Sequence, residues 1–284
     1  MRDTDRILAG DSTSAAQMCS STERLELRSH GDAHFPTLIH LPGLHGDWTL
    51  LGPFRDALAG RVRLVETTYP RNQDWVLEDY AVALETALSE HGITRGWVIG
   101  ESFSSQVAWQ FLARQLERGD RAAFRFDGLL LVGGFVRHPW AWGVRIAHSA
   151  SCTVPMPLLR MLCGIYGRMA GRRYCDRPEI VTELNEFVAR RTNEADRRAM
   201  TGRYRIISDT DLQPAARSAG VPVYHLSGAW DPIVPWWQVR PWLRRYCPGY
   251  RASKVLWRAG HNVLLSASSE SAEQILEWIR SGTR

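Results

Sequence analysis

The chain has 284 residues, 44% of them hydrophobic and 23% charged, a profile that excludes a disordered polypeptide and leaves room for one large α/β domain or two small ones. No run reaches the roughly 18 consecutive apolar residues of a spanning helix; the best candidate, Val154 to Tyr166, is short and contains Arg160. The net charge is +5, but the arginines are dispersed among acids, only Lys254 is a lysine, and no nucleic-acid motif accompanies them, so no nucleic-acid partner is expected.

Residues 1 to 22 read as a polar, Ser- and Thr-rich tail without periodicity, expected to be poorly ordered. Asp3, Arg6 and Asp11 interrupt its apolar pieces, so it lacks the continuous apolar core of a secretory leader. The five cysteines are odd in number and form no C-x-x-C pair, which points to reduced thiols and a cytoplasmic location. The folded part is read as a single domain over 23–284. Leu25 to Leu27 and Thr37 to Leu41 read as strands, the second halted by Pro42-Gly43; Val62 to Tyr69 is a third. Trp75 to His91 has helical periodicity and stops near Gly92.

Gly96 to Gly100 is a short buried strand, and the stretch after it places Val107, Ala108, Phe111, Leu112 and Leu116 on one helical face. Further strands are expected at Gly128 to Val132, Val221 to Leu226 and Lys254 to Trp257, with a Trp-rich helix between the last two and a final helix through Ala272, Ile275, Leu276 and Ile279. Strands alternating with helices predict an α/β fold: a mostly parallel central sheet covered by helices on both faces. The stretch of about 136–219 has helical patterning and no strand, and is read as a helical lid inserted into the single domain. Leu158, Met161, Leu162, Ile165 and Met169 give it an apolar helix face that is expected to be buried.

Three residues that carry chemistry fall at predicted strand ends. Gly100-Glu101-Ser102-Phe103-Ser104 lies between a strand and a helix, where a sharp turn exposes the Ser102 hydroxyl and demands small neighbours. A serine hydroxyl needs a base to take its proton and a third group to orient that base. Asp231, in Gly228-Ala229-Trp230-Asp231, and His261, in Gly260-His261-Asn262, follow later strands. Loops at the carboxyl ends of parallel strands converge on one edge of a sheet, so the three can meet.

With Leu41-Pro42-Gly43-Leu44, these motifs stand in the order of the α/β-hydrolase fold family, which the chain resembles over roughly 25–281. The resemblance implies Ser102 as nucleophile, His261 as general base and acid, and Asp231 as orienting acid. It also implies two backbone N–H donors to an oxyanion, from Phe103 and from Leu44. Pro42-Gly43 stands where the family often has His-Gly; aligning His45-Gly46 instead moves the second donor to Asp47, and both registers remain open. Ser104 replaces the last small glycine of the turn. Ser at position 102, rather than Asp or Cys, argues against dehalogenase, epoxide-hydrolase and thiol chemistry.

The expected function is a cofactor-free hydrolase of a small to medium apolar carboxylic ester, acting on a small-molecule acyl substrate through an acyl-enzyme. A thioesterase, amidase, acyltransferase or C–C bond hydrolase of the same fold is the alternative, and a ligand-binding receptor or pseudoenzyme is the rival of another class. Trp48, Trp140, Trp142 and Trp230, within a few residues of these loops or of the lid hinge, and Leu162, on the apolar face of the lid, are the pocket candidates. His40, His45, His138 and His225 lack metal-ligand spacing and are read as structural or surface residues, so no metal is expected.

Overall fold

The computed structural model describes residues 24–174, 176–190 and 193–282, apart from the side chains of residues 162, 163, 166, 167, 170, 171, 173, 189 and 190. The N-terminal tail expected over 1–22 lies outside the described residues. The predicted strands form one sheet: β1 (Glu26–His30), β2 (Thr37–Leu41), β3 (Arg63–Thr68), β4 (Arg95–Glu101), β5 (Arg125–Val132), β6 (Val223–Gly228) and β7 (Tyr250–Leu256). Their lateral order is β1-β3-β2-β4-β5-β6-β7, and only β1 and β3 pair antiparallel. β7 begins earlier than its sequence implied. As an edge strand it is half-exposed, and Arg251, Ser253 and Lys254 break the apolar run that marks a buried strand.

Eleven α-helices accompany the sheet among the described residues: α1 (Gly52–Leu58), α2 (Leu77–Glu90), α3 (Ser104–Arg118), α4 (Ala141–Thr153), α5 (Met156–Arg173), α6 (Pro178–Arg190), α7 (Glu194–Asp209), α8 (Gln213–Arg217), α9 (Trp236–Tyr246), α10 (Val263–Ser266) and α11 (Ser268–Gly282). The short α1 and α10 carry too few turns to show a periodic pattern and were not foreseen. Successive strand side chains point to opposite faces, so Ile39, Val98, Leu129 and Leu131 pack with α2, α3 and α9. On the other face Leu38, Trp97, Ile99, Leu130 and Val132 pack with α1, α10 and α11.

The chain leaves β2 toward β3 on one side and returns with β4 on the other, so the loops after β2 and β4 part at a topological switch point, where crevices form in such sheets. Leu41 and Gly100 are register partners, so both loops leave the sheet at the same level. Helices α4 to α8 lie between β5 and β6 and contain no strand among the described residues. A third apolar cluster, Leu50, Ile180, Leu184 and Leu265, joins α6 to the body. No helix among the described residues is long and apolar enough to cross a membrane.

Candidate active site

Ser102 sits on the turn between β4 and α3 with φ of +50°, a left-handed conformation that a residue with a side chain adopts at a cost. The turn is so close that a β-carbon at Gly100 would lie 2.8 Å from Ser104 O and Ser105 Cα, which is why glycine stands there. The conformation is held by Ser102 N–H donating to Val132 O at 2.9 Å and by Ser105 Oγ donating to Ser102 O at 2.6 Å. The amino end of α3 faces this turn, and the helix dipole favours negative charge there.

His261 lies on the loop after β7 and Asp231 on the loop after β6, and the fold brings both to Ser102. His261 Nε2 is 2.9 Å from Ser102 Oγ, and Nδ1 is 2.8 Å from Asp231 Oδ2. Asp231 is buried and doubly fixed, since its other oxygen accepts the N–H groups of Ile233 at 2.8 Å and Val234 at 2.9 Å. Its turn-forming role and its contact with His261 are thus carried by different oxygens. Gly133, with φ of +53°, leaves room beside the imidazole, where a β-carbon would lie 3.4 Å from the ring.

The loop after β2 has its carbonyls tied one by one. Ser104 Oγ donates to Pro42 O and also meets Tyr69 Oη at 2.7 Å, so the two residues that depart from the family pattern contact each other. Gly46 N–H donates to Gly43 O at 3.0 Å, and Tyr69 N–H to Gly46 O at 2.8 Å. Arg203, a fully buried residue of α7, donates from Nη1 to Leu44 O at 2.8 Å and from Nη2 to Pro70 O at 3.2 Å, with Nε 3.3 Å from Tyr80 Oη. Sequence reasoning missed Arg203, because it is one arginine in an Arg-rich amphipathic helix. A β-carbon at Gly43 would lie 3.7 Å from Ser102 Cβ, and Leu44 lines the same cavity as Ser102. Asp47 stands off this cavity and accepts the Thr49 N–H at 3.0 Å on its carboxylate.

That cavity, about 140 Å³, is walled by Phe135, Val144 and Ile207 and by Glu101, His138 and Tyr204. Of the histidines read from the sequence as structural or surface residues, His45 and His138 both line it. Burial, reinforced by the neighbouring His261, pushes the His138 pKa down to about 4, and its Nδ1 accepts the Trp140 N–H at 3.1 Å. Glu101, the residue before Ser102, meets His40 Nε2 at 3.0 Å. Burial raises its pKa, but the His40 hydrogen bond and the nearby His40, His45 and His261 rings outweigh that and hold the carboxyl below its ordinary value.

A second, open cavity of about 1120 Å³ shares Ile233, His261 and Asn262 with the first and is lined as well by Met169, Tyr174, Leu184 and Trp230. Trp230 is the tryptophan candidate that reaches a cavity beside the site. Trp48 instead stacks under the Arg28 guanidinium at 4.1 Å, Trp140 packs its ring edge-on against Trp237, and Trp142 is 66% exposed. The Leu162 side chain lies outside the described residues. The α5 face is likewise not the buried surface expected of it: Leu158, Met161, Ile165 and Met169 are all exposed, since α5 packs mainly on α6 and turns this face outward. Among the described residues no group of His, Cys, Asp and Glu is arranged to hold a metal ion.

No protein-family model and no curated protein matches the chain in sequence. Solved structures match it over nearly the whole length. A hydrolase from Pseudomonas aeruginosa superposes with a TM-score of 0.71 at 16% identity, over 90% of this chain and 94% of its own. A thermophilic esterase from Thermogutta terrifontis gives 0.68 at 19% identity, covering 91% and 93% respectively. An enol-lactonase from Burkholderia xenovorans gives 0.69 at 18% identity, covering 90% and 96%. At such identities the likeness is one of fold.

Proposed function

We propose that this chain, which has the α/β-hydrolase fold, is a serine hydrolase of carboxylic esters that works through an acyl-enzyme. The observation that carries the reading is the unbroken chain from Ser102 Oγ through His261 to Asp231, with contacts of 2.9 and 2.8 Å. His261 Nε2 takes the hydroxyl proton as Ser102 Oγ attacks the ester carbon, and Asp231 stabilises the imidazolium and fixes its tautomer. The oxyanion is met by the N–H groups of Phe103 and Leu44, and Leu44 is preferred over Asp47 because it shares a cavity with Ser102. Collapse of the tetrahedral adduct passes the proton to the leaving alkoxide. A water then attacks the acyl-enzyme, giving its proton to His261, and the acid is released as Ser102 recovers it.

In this reading helices α4 to α8 form a lid over the site, and the exposed free thiol of Cys152 fits a reducing, cytoplasmic setting. The acyl acceptor is water, and no cofactor takes part. The test is labelling with a fluorophosphonate followed by peptide mapping, alongside turnover of p-nitrophenyl esters. Modification at Ser102 and loss of turnover in a folded Ser102→Ala variant are expected. Undiminished turnover by that variant removes Ser102 from the mechanism, and a protein that the p-nitrophenyl ester acylates at Ser102 but that releases the acyl group only over hours is a receptor rather than an enzyme.

A further inference from the structure

The two cavities flanking His261 differ in size and chemistry, and the reaction dictates what each can hold. The acyl carbon bonds to Ser102 Oγ, so the acyl group must occupy the small cavity, which contains Ser102 and Leu44. The leaving oxygen needs only His261, which both cavities share, and the alcohol part is therefore directed into the large one beside Trp230 and Met169. At about 140 Å³ the acyl cavity has room for roughly five water-sized groups, which limits the acid to a short chain.

A purely apolar acyl group would leave that cavity badly matched. Glu101 has only 13% of its side chain exposed, and one carboxylate oxygen is taken by His40. Its other oxygen accepts no hydrogen bond among the described residues while the carboxylate borders the cavity. A carboxylate oxygen that opens onto the cavity without a protein donor is free to accept a ligand O–H. Across the same space, His138 accepts the Trp140 N–H on Nδ1, which leaves Nε2 as the protonated, donating nitrogen. An acceptor and a donor on the walls of one small chamber match a hydroxyl, which is both.

We propose that the acyl cavity selects a short acid, of about four carbons or fewer, carrying a hydroxyl on its 2- or 3-carbon, and that Glu101 is the acceptor that reads it. This rests on Ser102 being the nucleophile and replaces the expectation of a purely apolar acyl group. An acid bearing a second carboxylate is disfavoured, because it meets the ionised Glu101 in a confined space.

The experiment compares 1-naphthyl esters sharing one leaving group: propionate with lactate, butyrate with both enantiomers of 3-hydroxybutyrate, and butyrate with hemisuccinate, each kcat/KM divided by the ester's rate of alkaline hydrolysis. At least one hydroxy ester should exceed its parent by about tenfold or more, the scale of one hydrogen bond to a charged group. Hemisuccinate should fall below butyrate by a similar factor. In Glu101→Gln both ratios should move toward one. Hydroxy esters no better than their parents in the unmodified protein overturn the inference, whether or not the variant folds, and so do ratios unchanged by Glu101→Gln. If every ester is cleaved in a Ser102-dependent manner with no preference, only this inference fails; if none is, the hydrolase reading fails with it.

Discussion

At the scale of single residues, the site is assembled from small departures that compensate one another. Serine in place of the last glycine of the Ser102 turn gives its hydroxyl to Pro42 O, in the loop where the family pattern is itself altered. Ser104→Ala leaves that buried carbonyl and the Tyr69 hydroxyl without their partner, and should lower stability by about 1–3 kcal/mol in urea unfolding. If the loop supplies an oxyanion donor, kcat should fall several-fold while KM changes little. Asp231→Asn keeps the turn bonds to Ile233 and Val234 through its amide oxygen but presents the wrong partner to His261 Nδ1. A loss of about 10⁴ in kcat with near-normal thermal stability is expected, checked by steady-state kinetics beside a melting curve.

At the scale of elements, the helices between β5 and β6 are not equally attached. α7 is anchored deeply: Arg203 donates to Leu44 O and Pro70 O, and Arg71 pairs with Asp196 at 3.0 Å. A β-carbon at Gly202 would lie 2.4 Å from Gln73 O, so that helix lies against the body backbone. Arg203→Met removes donors from one buried and one partly buried carbonyl and should cost on the order of 2–5 kcal/mol. Tyr80→Phe, which loses only the 3.3 Å contact, should cost less than half as much; equal losses would show that the two carbonyl bonds add nothing to stability. α5 is different, with Met161 53% exposed. Met161→Ala should change stability by less than about 0.5 kcal/mol and leave the order of ester preference unaltered.

At the scale of the whole molecule, buried histidines make stability depend on pH. Burial pushes His225 in β6 and His138 down to about 4. Unfolded, each titrates near the ordinary value of about 6.5, so between those values the unfolded chain binds more protons. Stability is full above about pH 6.5 and falls as the pH drops toward 4, by up to about 1.4 kcal/mol per pH unit for each histidine. The Glu101 carboxyl, held below its ordinary value, extends the loss further into acid. Denaturant melts at pH 7.5, 5.5 and 4.5 should show this slope, and His225→Phe should flatten it; a slope untouched by that variant assigns the acid lability elsewhere.

The sequence by itself determined the alternation of strands and helices, the stretch without strands between β5 and β6, and the three loops that bear Ser102, Asp231 and His261. These are local properties: side-chain period, turn chemistry and the order of motifs are written in contiguous residues. Only the tertiary structure decided that Arg203 reaches Leu44, that Ser104 reaches Pro42, that Glu101 and His138 wall the small cavity, and that Trp48 and the α5 face turn elsewhere. Such pairings join residues as far apart as 159 positions, and depend on strand order and on the angle at which each helix leaves the sheet. Neither leaves a periodic trace in the chain, because one arginine on an Arg-rich helix looks the same from the sequence whether it faces water or a buried carbonyl.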